Sequence, residues 1–198
     1  MTSIIVCRHG ATDWNLLGRY QGQSDIPLNS DGERQALTLG EELRSELIQA
    51  VYASALQRAW RTAETIAGYH GLEVRRDARF NEVDEGAWEG LTLEEIVDHY
   101  PEQHADWVKG TLESRPTNGE SIGEMRVRIS AALAEIVLAW PEGKIVIVAH
   151  KVTLNVLRSV VTGEPTETTL RNLPLNGSLY RWEIPASIAD GRLEGAAL

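Results

Sequence analysis

The stretch SIIVCRHGATDWN, residues 3–15, ends an apolar run on an arginine and a histidine and follows them with glycine. A plain exit from a buried strand would more often use Asn, Asp, Ser or Pro with Gly. The same habit recurs along the chain. Ser54 and Arg58 follow the run Ala50–Ala53, and His150 follows Ile145–Ala149. The acidic segment NEVDEGAWEG, residues 81–90, follows Leu72–Arg75. Arg8, Arg58, His9 and His150 together would form a cradle for an anion, because the planar guanidinium fork suits phosphate oxygens. Each of them alone reads as a surface ion pair or a satisfied core histidine; four at strand ends read as a site. His9 between two arginines is expected to stay neutral near pH 7 and keep a nitrogen lone pair, the state a nucleophile toward phosphorus requires. Gly10 then implies a close approach of backbone to ligand, or a conformation that a Cβ would oppose.

The elements that would position these residues follow from periodicity. Short β-branched runs at Ile4–Cys7, Ala50–Ala53, Leu72–Arg75 and Ile145–Ala149 read as strands, with Leu179–Ile184 as a further candidate. Four helices lie between them. The first follows a capping box at Ser30-Asp31-Gly32-Glu33, and the second runs from Gln57 to Ala67. The third starts at the box Ser121-Ile122-Gly123-Glu124 and stops at Pro141 and Gly143. The fourth begins after His150 and stops at Gly163. Strands alternating with helices predict an α/β fold: a three-layer sandwich with a mostly parallel central sheet and helices on both faces. In such sheets the carboxyl ends of the strands lie at one edge, where ligands bind. Residues 89–117 lack the alternation and read as a small helical lid insertion within one domain spanning 1–198. The small, polar residues after Ile184 read as a frayed tail.

The formal charge of −10 over 198 residues argues against a nucleic-acid or anionic-membrane surface but leaves room for a small anionic ligand. One cysteine, Cys7, cannot pair within the chain and reads as a small core residue in a reducing compartment. No secretory leader and no apolar run of membrane length are visible, so the expected location is cytoplasmic. Neither a Walker-type nor a dinucleotide glycine motif occurs. His99 and His104, five apart, do not stack as a metal pair and read as lid surface; His70 reads as a helix C-terminal residue. Trp88 reads as packing, whereas Trp14 and Trp107 stay open as pocket residues.

In sequence order, CRHGATDWN, GRYQGQSDIPLNSDGERQA (18–36), YASALQRAWRTAETIA (52–67), NEVDEGAWEGLTLEEI (81–96), NGES (118–121) and VIVAHKVTLNVLR (146–158) resemble the phosphoglycerate mutase-like branch of the histidine phosphatase superfamily. The resemblance covers most of the chain and implies a phosphatase-type member. It implies that His9 becomes phosphohistidine, that Arg8, Arg58 and His150 clamp the phosphate, and that Glu82 is the general acid and then the base toward water. It further implies that Asn15 contacts phosphate or substrate, with Thr12, Gln21 and Gly22 bordering the pocket, and that neither metal nor cofactor is needed.

The chain departs from that pattern at three places. Lys151-Val152 stands where the family often has two glycines, which brings a cation near the pocket. Ala55 stands where Asp or Pro is common, and Glu85 adds a carboxylate beside Glu82. The leading expectation is a cofactor-independent phosphomonoesterase acting on a small phosphate ester, with no nucleic-acid or membrane partner and a homodimer left open. Alternatives are a phosphoglycerate mutase using the same residues and a non-catalytic phosphate-binding module. The short segment between Glu82 and Gly119 favours hydrolysis, because a mutase must exclude water from its intermediate.

Overall fold

In a computed structural model, residues 1–184 are described. The expected tail after Ile184 lies outside them. Five strands form one sheet: β1 (Ser3–Arg8), β2 (Ala50–Ala53), β3 (Val74–Arg76), β4 (Lys144–Ala149) and β5 (Leu179–Glu183), in spatial order β3-β2-β4-β1-β5. All neighbours are parallel except β5, which runs antiparallel along β1 at one edge. The first four are joined through helices, as parallel strands require. β3 begins at Val74, two residues later than its apolar run, because only Val74–Arg76 have partners, on Val51–Ala53 of β2.

Side-chain alternation along the two central strands builds both cores. Ile4, Val6, Ile145 and Ile147 face helices α6 (Ile122–Ala139) and α7 (Lys151–Thr162), meeting Met125, Ile129, Leu133, Val156 and Leu157. Ile5, Cys7, Val146 and Val148 face α2 (Ser30–Leu43) and α3 (Gln57–Gly68), meeting Leu39, Leu43, Ala63 and Ile66. Each such aliphatic side chain contributes about 1.5–3 kcal/mol by leaving water. A one-residue slip of β1 would exchange its two apolar sets between faces, and burial on both sides therefore fixes only the registers that keep each set packed.

The helix ends follow local chemistry. Ser121 caps α6, with Glu124 reaching back to the Ser121 N–H. Gly163 closes α7 in the left-handed conformation at φ 74°. The start of α2 differs from the expected box: Asn29 is its N-cap, its side-chain oxygen accepting from Gly32 N–H at 2.9 Å, and Ser30 is already helical. The carboxamide of Asn29 reaches the free first-turn donor, so the hydroxyl of Ser30 is not needed there. Residues 89–117 carry two short helices, α4 (Leu93–His99) and α5 (Pro101–Trp107), after the small α1 (Asp13–Leu16) and before α6; α8 (Thr166–Thr169) follows α7. Among the described residues, no helix is long and apolar enough to cross a membrane.

Candidate active site

The register of β1 on β4 sets Arg8 opposite Ala149, and His9 N–H donates to the Ala149 carbonyl at 3.1 Å. The two histidines that follow these strands are therefore neighbours, with ring centroids 5.0 Å apart. His9 Nδ1 lies 2.6 Å from the Gly10 carbonyl oxygen. A carbonyl only accepts, so Nδ1 carries the proton and Nε2 keeps the lone pair. Burial first, and then the charges of Arg58 and Arg8, hold His9 neutral far below the usual imidazole range. His150 is fully buried, both its ring nitrogens lack a partner among the described residues, and burial with Arg58 depresses it in the same way.

The arginines are anchored by backbone and keep donors in reserve. Arg8 Nη1 donates to the Pro174 carbonyl at 2.6 Å, while Arg58 donates from Nη1 to Ser24 O and from Nη2 to Gly22 O, both at 2.7 Å. The Nε–H groups of both are buried without a partner among the described residues. A buried donor left unpaired is costly, and an anion arriving between the arginines would remove that cost. Burial lowers the Arg8 pKa to about 10, which leaves it a cation at neutral pH.

Glu82 sits at the start of α7, where free backbone donors point outward. Its Oε2 accepts from Val152 N–H, and its Oε1 from Thr153 N–H and the Thr153 hydroxyl, all at 3.1 Å. The strand β4, the cap His150 and the helix α7 follow one another directly, so one chain reversal places both His150 and the Glu82 mooring. Behind Glu82, Arg128 of α6 donates to the carbonyls of Arg79, Asn81 and Glu82 and pairs with Glu120 at 2.6 Å.

Arg8, His9, Arg58, Glu82, Asn15, Gln21, Gly22 and Lys151 share the wall of one cavity of about 560 Å³. His150 lies behind His9, outside that wall. Thr12 is also outside it: it caps α1, accepting from Asn15 N–H and donating to Gln21 Oε1 at 3.0 Å, and so shapes the loop that carries them. Gly22, at φ 46°, closes that loop against the next segment, where a Cβ would stand 2.9 Å from Glu85 N.

Several readings in and around the lid change or resolve. His104 is in the cavity wall, not on the free surface, because Trp107 packs edge-on against the buried Trp88 at 6.1 Å and turns α5 inward. Trp107 lines the cavity, Trp14 does not, and His99 stays exposed. Lys151 and Glu85 both face the cavity. Sequence reasoning passed over Asn176, whose Nδ2 donates to His9 O at 3.1 Å and Asn15 Oδ1 at 3.2 Å. The turn dipeptide Asn176-Gly177 just before β5 was the available signal.

This arrangement can hold a phosphoryl group between two cations and present a neutral imidazole to it. The model of the histidine phosphatase superfamily (branch 1) matches residues 4–187. The chain belongs to that superfamily and is an enzyme of the histidine phosphatase type. It is 34% identical to phosphoserine phosphatase 1 of Hydrogenobacter thermophilus, over 82% of this chain and 77% of that protein. It is 36% identical to the probable phosphoglycerate mutase GpmB of Citrobacter koseri, over 95% of this chain and 87% of that one. Among solved structures, the mycobacterial glucosyl-3-phosphoglycerate phosphatase complexed with VO3 superposes with a TM-score of 0.88 at 28% identity, over 94% of this chain and 93% of that one.

Proposed function

We propose that the chain is a cofactor-independent phosphomonoesterase of small phosphorylated metabolites, working through phosphohistidine. His9 Nε2 attacks phosphorus, and the ester oxygen leaves with a proton from Glu82. Water then attacks the phosphohistidine, Glu82 takes up its proton, and phosphate departs with His9 restored. Arg8, Arg58 and His150 stabilise the charge of the transferring group. Asn15, Gln21, Gly22 and Lys151 border the bound ester. The observation that carries this reading is the His9 ring: Nδ1 is committed to Gly10 O, so the lone pair falls on Nε2, beside two guanidiniums whose buried Nε–H donors have no partner among the described residues.

The resemblance to a probable phosphoglycerate mutase supports a second reading, in which the phosphoryl group returns to the substrate. Phosphate release from p-nitrophenyl phosphate and a panel of metabolite esters, with and without 2,3-bisphosphoglycerate primer, separates the two. A phosphatase releases phosphate without primer and loses release in His9→Ala. Interconversion of phosphoglycerates faster than phosphate release would establish the mutase.

A further inference from the structure

Glu85 is buried in the wall of the cavity, three residues beyond Glu82, and the proposed reaction leaves it without a task. Its Oε2 accepts the Gly22 N–H at 2.7 Å, and the Gly22 carbonyl accepts Arg58 Nη2 at 2.7 Å. One residue, Gly22, thus ties this carboxyl through its N–H and its carbonyl to an arginine of the phosphate clamp. Its Oε1 makes no hydrogen bond among the described residues.

The charged and titratable groups around Glu85 come from every neighbouring segment. Glu82 precedes it, Glu89 follows it, Lys151 stands at the start of α7, and Tyr20 and Arg58 lie across the Gly22 loop. Burial and the Glu82 charge push its pKa up to about 8, against the Gly22 N–H and Lys151. Since Oε2 accepts, the proton belongs on Oε1, which then faces the cavity as a donor that can also accept. A hydroxyl is the partner that both donates and accepts without charge. A second carboxylate set against Glu85 would meet the Glu82 charge, and would find the Gly22 N–H taken. An ammonium would stand among Arg8, Arg58 and Lys151.

We propose that Glu85 is the specificity residue of the leaving-group subsite, selecting phosphate monoesters of neutral, hydroxyl-bearing alcohols such as polyols and sugars over phosphorylated carboxylic acids and amines. The proposal rests on the phosphatase reading and extends it to the substrate class.

The test compares kcat/KM for glycerol 1-phosphate, propyl phosphate, 3-phosphoglycerate, phosphoethanolamine and p-nitrophenyl phosphate, in the wild type, Glu85→Gln and Glu85→Leu. The wild type should prefer glycerol 1-phosphate to propyl phosphate by about tenfold, the worth of one hydrogen bond to a buried group. It should disfavour the acid and the amine. Glu85→Gln should keep most of the preference, and Glu85→Leu should bring the ratio close to one. The wild-type ratio should fall above pH 8, and that of Glu85→Gln should not. A wild type that favours 3-phosphoglycerate or phosphoethanolamine, or that shows no hydroxyl preference while turning over p-nitrophenyl phosphate, overturns the proposal alone. These wild-type ratios do not depend on either variant folding. A wild type that hydrolyses none of the five, p-nitrophenyl phosphate included, removes the phosphatase reading and the proposal with it.

Discussion

Gly10 lies against the backbone of Gly32, in the first turn of α2, so closely that a Cβ on Gly10 would stand 2.7 Å from the Gly32 Cα. The contact is reciprocal, since a Cβ on Gly32 would stand 2.8 Å from Ala11 N. The glycine after His9 therefore answers to a helix: α2 is drawn onto the chain as it leaves β1, and Gly10 O holds His9 Nδ1. Gly10→Ala and Gly32→Ala should each cost about 1–3 kcal/mol as backbone overpacking. For a chain of this size that lowers Tm by roughly 2–4 °C per kcal/mol. Thermal denaturation reads it, and a Tm unchanged in both variants would mean that the contact is looser than described.

Arg128 should act on turnover without touching substrate. Its guanidinium ties three carbonyls of the segment leading to Glu82, and Glu120 holds it in place. Arg128→Met should let Glu82 wander. Because a displacement of about 1 Å can cost on the order of 100-fold, kcat should fall by about 10- to 100-fold for alkyl phosphates, which need a proton on the leaving oxygen. Aryl phosphates should lose much less, with KM little changed. Equal losses for both ester types would assign Arg128 to stability alone. Pairing the change with Glu120→Gln avoids leaving a half-buried carboxylate unmatched.

Much of this layout was legible because it is local. Short continuous apolar runs ended by Arg-His and by His state both the strands and their cargo, and Ser121 announces α6. What was not legible depends on distant partners. Asn176 reaches His9 only because β5 returns antiparallel along β1, a pairing no local pattern specifies. Arg128 reads as one more charge on a helix until α6 docks beside the Glu82 segment. His104 reads as surface until Trp107 meets Trp88. Asn29 was missed as a cap because Ser30 with Glu33 offered an equally good local box, and geometry chose between them.

Cys7 should be chemically silent in the folded protein. It is fully buried between β1 and the α2–α3 layer, and burial pushes its thiol up to about 12. Only the thiolate attacks disulfide reagents. A chromogenic disulfide should therefore label nothing in native protein and one thiol per chain in denaturant. Rapid native labelling would place Cys7 at an accessible surface.

The buried ionisable groups set opposing slopes on stability against pH. His9 and His150 are held neutral well below 6.5 by burial and then Arg58, whereas unfolded they titrate near 6.5. Below that pH the unfolded chain binds protons that the folded one refuses. Stability should then fall on acidification by up to about 1.4 kcal/mol per pH unit for each histidine. Glu85 runs the other way. Its folded pKa of about 8 lies above the ordinary value of 4.5, so between these the folded protein keeps a proton that the unfolded chain has released. Stability from this group is complete below 4.5 and is lost as pH rises toward 8, again by up to about 1.4 kcal/mol per unit. The three groups together place the wild-type maximum near 6.5, with an alkaline decline due to Glu85. Urea unfolding from pH 5 to 8 should show that decline in the wild type and not in Glu85→Gln, while both keep the acid loss. Parallel curves above pH 6.5 would mean that Glu85 is ionised at neutral pH, and the donor it offers the cavity would be gone.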